Sequence, residues 1–353
     1  MKSDTFVIIM AGGIGSRFWP VSTERKPKQF LDMLGTGKTL FQHTIDRFSD
    51  ICSIRNIFVV TSAQYIDIAL EQGPEIPESN ILAEPVMRNT APCIAYASYK
   101  IRKLNPNANI IVTPSDHLIE QKQLFQKTLQ KGLNFVKDRD AILTIGIQPH
   151  RPETGYGYIQ MDHPDKEIGK VKAFKEKPDH ETAKSYLASQ EYLWNAGIFL
   201  WSAKTIIQAF ETYMPAMARV FDNGNDIYFT DKEQSFIDLV YPTFENISID
   251  YSMLEKADNL YVQKGHFDWS DLGTWTALWE KSSRTYTGDT VSSENAYLYE
   301  TSNNIIHVPE DKVVVVQGLS EYIVVESNNV LLICSKGEEQ RIKAFRHKAS
   351  NSK

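Results

Sequence analysis

The sequence offers little sulfur chemistry. Its three cysteines, Cys52, Cys93 and Cys334, lie far apart and show no metal-ligand spacing such as C-x-x-C, so buried free thiols in a reducing cytoplasm are expected. No apolar run approaches the roughly 18 residues of a membrane span. The opening "MKSDTFVIIMAGG" has an apolar core too short and too soon interrupted for a signal peptide, and reads as a first buried strand. Positive charge is in deficit: 38 Lys and Arg face 44 Asp and Glu, a net charge of −6, with no basic stripe, which argues against a nucleic-acid binder. Any phosphate ligand must therefore find local cations. What remains is ordinary globular composition, 42% hydrophobic and 23% charged, in 353 residues, enough for one large and one small unit.

Up to about residue 147, short β-branched runs ("TFVIIM", "IFVVT", "NIIVTPSDH", "AILTIGI") alternate with amphipathic stretches ("TLFQHTIDRF", "APCIAYASYKIRKL", "LFQKTLQKGLNFV"). This is the pattern of βαβ units on a Rossmann-like α/β sheet, mixed but mostly parallel, with ligands at the carboxyl ends of the strands. Residues 148–290 carry more aromatics and read as a substrate-facing extension of the same sheet. From about 291 the pattern changes to short β runs punctuated by Asn and Gly, with no helix until the charged tail, and predicts a small C-terminal β domain over 291–353. Truncation near 290 is then expected to expose apolar surface while leaving the glycine-rich loop behind the first strand, residues 11–30, intact.

Behind the first strand comes "AGGIGSRFWPVSTERKPKQF", residues 11–30. A nucleotide P-loop ending in "GTGKT" fails, because Asp32 stands where a glycine is required. A dinucleotide turn on Gly13-Ile14-Gly15 fails too, because its third glycine falls at Phe18 and Pro20 follows. Only one reading uses the whole stretch: Gly12, Gly13 and Gly15 let backbone N–H groups point at phosphate oxygens, while Arg17 and Lys28 supply positive charge.

The same stretch resembles the G-x-G-x-R-x-W-P…P-K-Q-F signature of bacterial mannose-1-phosphate guanylyltransferases, within the sugar nucleotidyltransferase superfamily. The segments "EPVMRNTAPCIA", "TPSDH", "ETGYGYI", "FKEKP", "NAGIFLW", "ISIDYSMLEK" and "WSDLGTW" follow in order, so the resemblance spans nearly the whole chain. Phe18, Ser115 and Lys175 depart from the common pattern without removing a chemically needed group. The resemblance implies transfer of GMP from GTP to mannose 1-phosphate, a Mg²⁺ cofactor, a cytoplasmic homodimer, and a β-helical C-terminal domain after a nucleotidyltransferase domain over 1–290 (nucleotide part about 1–147, sugar-phosphate part about 148–290). Related bifunctional enzymes carry a phosphomannose isomerase cupin domain; with the sequence ending at Lys353, that activity is expected to be absent. Another sugar 1-phosphate, or a nucleotide-sugar-binding relative without turnover, are the alternatives.

Carried onto this sequence, the resemblance places Ala11, Gly12, Gly13 and Gly15 at the nucleotide and gives Arg17 and Lys28 the triphosphate charge. Asp116, at the end of strand "NIIVT", and Asp271 in "WSDLGTW" are the expected metal carboxylates, since Mg²⁺ takes one or two carboxylates and completes its shell with phosphates and water. Asp268 is the rival of Asp271, a helix-capping aspartate before "GTWTALWE" the bland account, and His117 a hydrogen-bonding neighbour. Changing Asp116 or Asp271 to Asn is expected to cost no stability, and to raise metal-free melting slightly by relieving repulsion. Glu84 would read guanine by accepting from its N1–H and 2-amino group together, with Asn89 and the backbone around Thr90 and Ala91 completing the pocket; the competing account makes Glu84 the cap of the helix near Ala91. On the sugar side stand Gly155, Glu176, Lys177, Asn195 and Gly197, with the side chains of Glu176 and Lys177 expected to diverge at a strand end. Asp250 in "SIDY" lies nearby without a derivable role.

Overall fold

The computed structural model describes residues 4–350, which gather into two compact units. The first comprises 4–12, 44–115 and 119–269. Its spine is a nine-stranded sheet in the order Ile81–Glu84, Ile57–Ser62, Thr5–Met10, Asn109–Pro114, Tyr192–Ser202, Ile142–Ile147, Leu260–Lys264, Ile168–Lys175 and Tyr158–Met161. The first four strands are parallel, in register Ile8↔Phe58 and Ile8↔Val112. Their runs are apolar throughout because both faces are covered, with Val7, Ile8 and Ile9 wholly buried. The strand Tyr192–Ser202 runs antiparallel between Asn109–Pro114 and Ile142–Ile147, so strands consecutive in the βαβ alternation are not neighbours there. On one face Ile8, Phe58, Val112 and Trp201 meet Ala95, Tyr99 and Phe210 from the helices Thr90–Leu104 and Ala203–Tyr213 in a single core. Burying each such large side chain contributes roughly 1.5–3 kcal/mol.

The second unit comprises 13–43, 116–118 and 270–350. Thr290–Val291, Ile305–His307 and Tyr322–Ser327 stack in parallel with register Thr290↔Ile305↔Ile323, while Ala296–Tyr299 and Val314–Gln317 pair in parallel as a second small sheet. Parallel strands recurring every 15 or 18 residues are successive turns of a β-helical coil. Val330–Ser335 closes the stack antiparallel, and the helix Ile342–Ser350 follows. The interior of this coil is shared with the N-terminal loop: Phe18, Met33 and Leu40 lie in one buried cluster with Trp275, Ile305, Ile323 and Ile342. The expectation that the loop stands independently of the C-terminal domain is thereby corrected, because its apolar residues have their core there.

Candidate functional site

Gly13 and Gly15 carry the loop through left-handed backbone, at φ +95° and +61°. At Gly15 a Cβ would sit 2.6 Å from the Lys28 Cβ and 3.3 Å from its backbone nitrogen, so only glycine fits. Ser22 Oγ donates to the Ile14 carbonyl at 2.6 Å, and the Phe18 N–H closes the short turn Ser16–Phe18 onto Gly15 at 3.0 Å. This close approach seats Lys28, 3% exposed, in the floor of the loop. Its ammonium meets Asp116 Oδ2 at 2.9 Å and donates to the carbonyls of Asp271 at 2.8 Å and Leu272 at 2.9 Å. One buried cation thus ties together two segments far apart in sequence. Burial pushes the Asp116 carboxyl up, but Lys28 and then His117 outweigh it and hold the group below its ordinary value.

Above Lys28 opens a cavity of about 240 Å³ whose lining includes Arg17, Asp116, His117, Asp271 and Lys343. The Arg17 Nε is buried without a hydrogen-bond partner among the described residues. Asp271 Oδ1 accepts from the Gly273 N–H at 2.9 Å, an Asx turn that stops the chain before the helix Trp275–Lys281. The cap of that helix is Thr274, whose Oγ1 accepts from the Ala277 N–H at 3.1 Å, so neither Asp268 nor Asp271 caps it. Asp268 is exposed and its N–H donates to Gln121 Oε1. Among the described residues no three or more His, Cys, Asp or Glu form a ready-made metal cluster. The carboxylates at this cavity that could hold a divalent cation are Asp116 and Asp271, with the rest of its ligands coming from outside the protein.

A second cluster, in the first unit, centres on Glu84 at the end of its strand, 4% exposed. The Tyr241 hydroxyl, itself fully buried, donates to Glu84 Oε1. Burial raises the Glu84 carboxyl to about 7, against the lowering effect of Tyr241. Gly12 lies against the other oxygen: a Cβ there would be 3.7 Å from Oε2. Asn89, not Glu84, caps the helix Thr90–Leu104, with its side chain accepting from the Thr90 N–H at 2.9 Å and its backbone at φ +67°. The Ala91 N–H donates to Ile247 O and Thr90 Oγ1 accepts from the Ile249 N–H. The backbone donors of Thr90 and Ala91 are thus engaged within the protein, as are Asn89 Oδ1 and Glu84 Oε1, so that what this cluster can still offer is the Asn89 Nδ2 and the Glu84 Oε2.

The third cluster, also in the first unit, contains Glu176, Lys177, Asn195 and Asp250. The side chains of Glu176 and Lys177 do not diverge. The strand ends at Lys175 and Lys177 adopts φ +46°, so alternation stops and its ammonium returns to Glu176 Oε1 at 2.6 Å. Asn195 Nδ2 donates to Asp250 Oδ1 at 3.0 Å, and Asn195 Oδ1 accepts from Thr144 Oγ1 at 2.9 Å and from the Gly197 N–H at 3.2 Å. Asp250 begins a π-helical turn, Asp250–Leu254, and is raised to about 7 by burial and then by Glu176. The glycine pressed against this cluster is Gly157, where a Cβ would lie 2.5 Å from Glu176 Oε2 and 3.3 Å from the Asn195 Cβ; Gly155 is exposed, with only Glu153 close by. Gly157, the second glycine of "TGYGY", and Asp250 carried legible signals. Tyr241 and Lys343 carried none.

Residues 6–287 match the nucleotidyl transferase family. The chain is 34% identical over 351 residues to the mannose-1-phosphate guanylyltransferase 2 of Escherichia coli O157:H7, covering 95% of this chain and 71% of that one. It is 35% identical to the mannose-1-phosphate guanylyltransferase of Salmonella montevideo, over 95% of this chain and 72% of that one. Among solved structures it is similar to a Thermus thermophilus protein named mannose-1-phosphate geranyltransferase, with a TM-score of 0.88, 26% identity, and coverage of 98% of this chain and 99% of that one.

Proposed function

This chain belongs to the mannose-1-phosphate guanylyltransferase family of nucleotidyl transferases, and on that basis we propose that it joins GTP to mannose 1-phosphate, releasing pyrophosphate and forming GDP-mannose. A phosphate oxygen of the sugar attacks the α-phosphorus in line; the new P–O bond forms as the bond to pyrophosphate breaks. Both partners are anions, so positioning and charge compensation carry most of the catalysis. The observation that carries the reading is the cavity at which Asp116, Asp271 and the unsatisfied Arg17 come together above Lys28.

Asp116 and Asp271 would hold Mg²⁺, which when bound offsets phosphate charge and orients the reacting oxygens. Arg17 faces the leaving pyrophosphate, and Lys28 fixes both metal-bearing segments while adding its charge beneath them. Gly12, Gly13 and Gly15, with Ala11 behind them, keep the loop low enough for a nucleotide to lie over it. Glu84 in its ionised form accepts from guanine N1–H and the 2-amino group, a pair of donors that adenine lacks; Tyr241 orients it and Asn89 borders it. Glu176 and Asn195, backed by Asp250, suit sugar hydroxyls, and Lys177 suits the sugar phosphate.

In this reading 1–290 is the nucleotidyltransferase stretch, with its nucleotide part to about 147, and 291–353 a β stretch that follows it in sequence; the family match ending at residue 287 supports that boundary, while in the fold 13–43, 116–118 and 270–290 gather with the β stretch. The β domain exposes Tyr297, Tyr299 and Val315 on adjacent parallel strands, with exposed Val313 just before the second strand, an apolar face that favours a homodimer. No helix among the described residues is long and apolar enough to cross a membrane, and phosphorylated substrates favour the cytoplasm.

Pyrophosphate release from a matrix of nucleoside triphosphates and sugar 1-phosphates tests the proposal. GTP with mannose 1-phosphate is expected to be fastest. A different preferred sugar would move the substrate assignment, and no release from any pair would refute turnover.

A further inference from the structure

Lys28 was the expected second cation for the triphosphate, yet all three donors of its ammonium are engaged within the protein, by Asp116 Oδ2 and the carbonyls of Asp271 and Leu272. It neutralises Asp116 and has no proton left to give. The cations at the cavity free to meet an incoming anion are therefore Arg17, whose Nε is buried and unsatisfied, and Lys343.

Lys343 comes from the helix Ile342–Ser350, beyond the stretch that matches the nucleotidyl transferase family. Its position is set by its neighbour: Ile342 is fully buried in the cluster that also buries Phe18, so the helix start lies against the turn that bears Arg17. Partial burial, and then the Arg17 charge beside it, push the Lys343 ammonium below its ordinary value. Among the described residues it has no hydrogen-bond or ion-pair partner. Among the described residues neither Arg17 nor Lys343 is ion-paired with a carboxylate, so both side chains can turn to an anion that enters the cavity.

We propose that Lys343 is a phosphate-binding residue that, with Arg17, takes the pyrophosphate end of the nucleotide, so that the C-terminal helix completes the site. The proposal rests on the reading of this cavity as the phosphate side of a nucleotidyltransferase centre. It follows that the two cations divide the work with Lys28: one pair receives the leaving group, and the buried ammonium holds the metal-bearing segments in place.

The test titrates the full-length chain with inorganic pyrophosphate by calorimetry, for the parent, Lys343→Ala, Lys343→Arg and, as a charge control on the same helix, Lys348→Ala. Lys343 is exposed, so its removal leaves folding unchanged. Loss of one charge-assisted contact should weaken pyrophosphate roughly fivefold to tenfold in Lys343→Ala, with recovery to within about twofold in Lys343→Arg and parent-like binding in Lys348→Ala. In steady state the KM for GTP should rise by a similar factor while the KM for mannose 1-phosphate stays. Parent-like affinity in Lys343→Ala, equal weakening in Lys348→Ala, or no pyrophosphate binding by the parent would each overturn the proposal. Failure of the guanylyltransferase reading looks different: the parent would release no pyrophosphate from any substrate pair, yet its pyrophosphate affinity would still depend on Lys343.

Discussion

A carboxyl group buried beside a tyrosine hydroxyl is drawn two ways by pH, and Glu84 is such a group. Its folded value of about 7 lies above its ordinary 4.5, so the folded chain holds an extra proton between those values, and the stability this group contributes falls as pH rises through that window. The guanine contact proposed for Glu84 needs its ionised form, so GTP binding should strengthen over the upper part of the same window. Glu84→Gln should therefore flatten the pH dependence of the KM for GTP around pH 7, reduce preference for GTP over ATP by about 2 kcal/mol, and raise the melting temperature at alkaline but not acidic pH. Asp250, also raised to about 7, keeps its own share of the stability slope in that variant. An unchanged ratio of GTP to ATP specificity constants would remove Glu84 from base recognition. At the carboxylates proposed to hold the metal, Asp116→Asn and Asp271→Asn should each lower turnover roughly a thousandfold. They should differ in stability, against the expectation of equal, harmless changes. Lys28 pairs with the Asp116 carboxylate but only with the backbone of Asp271, so Asp116→Asn leaves a buried ammonium short of its counter-charge and should cost on the order of 2 kcal/mol, whereas Asp271→Asn should not. Metal-free melting of the two variants decides this, and equal melting would show that the ion pair is immaterial.

Secondary-structure elements were legible where periodicity is long and failed where a strand or helix ends. The strand Ile168–Lys175 follows from its sequence, but the return of Lys177 to Glu176 depends on one residue at φ +46°, which no alternation rule foresees. Likewise the helix Thr90–Leu104 was expected within a residue of its start, but its cap, Asn89 at φ +67°, was not foreseen; the competing account that made Glu84 the cap falls, since Glu84 lies too far upstream to reach the first turn. Gly157 lies where such ends converge, its place in the chain pressed between Glu176 and Asn195. Gly157→Ala should push the flexible end of Glu176 aside, raising the KM for mannose 1-phosphate roughly tenfold or more while the KM for GTP changes little. Parallel rises in both would mean that the substitution disturbs the sheet instead.

Across the whole fold, the compact units do not follow chain order: residues 13–43 belong with 270–350. Phe18 shares its core with Ile305, Ile323 and Ile342, Asn328 Nδ2 donates to the Pro20 carbonyl at 3.0 Å, and Arg346 pairs with Glu24. Removing everything after about residue 290 should then abolish GTP turnover and pyrophosphate binding as well as any dimer, because the loop loses the apolar surface that sets its shape. A truncated chain that folds and turns over at the parental rate would show that the loop is organised locally. Light scattering of the full-length chain, expected to give a dimer mass, separates the effect on assembly from the effect on the loop.

Local pattern was enough to read the α/β alternation and the β character of the stretch after about residue 291, because each rests on periodicity, whereas the loop cations and the paired aspartates were assigned through a family resemblance. It took the folded chain to establish that Lys28 is fully engaged beneath Asp116, that Tyr241 donates to Glu84, that Gly157 rather than Gly155 presses on Glu176 and Asn195, and that a lysine from the last helix lines the cavity with Arg17. These pairings join residues that no spacing rule connects. Periodicity constrains which element forms, but the burial of Phe18 with Ile342, and with it the place of Lys343, is set by packing between segments at opposite ends of the chain.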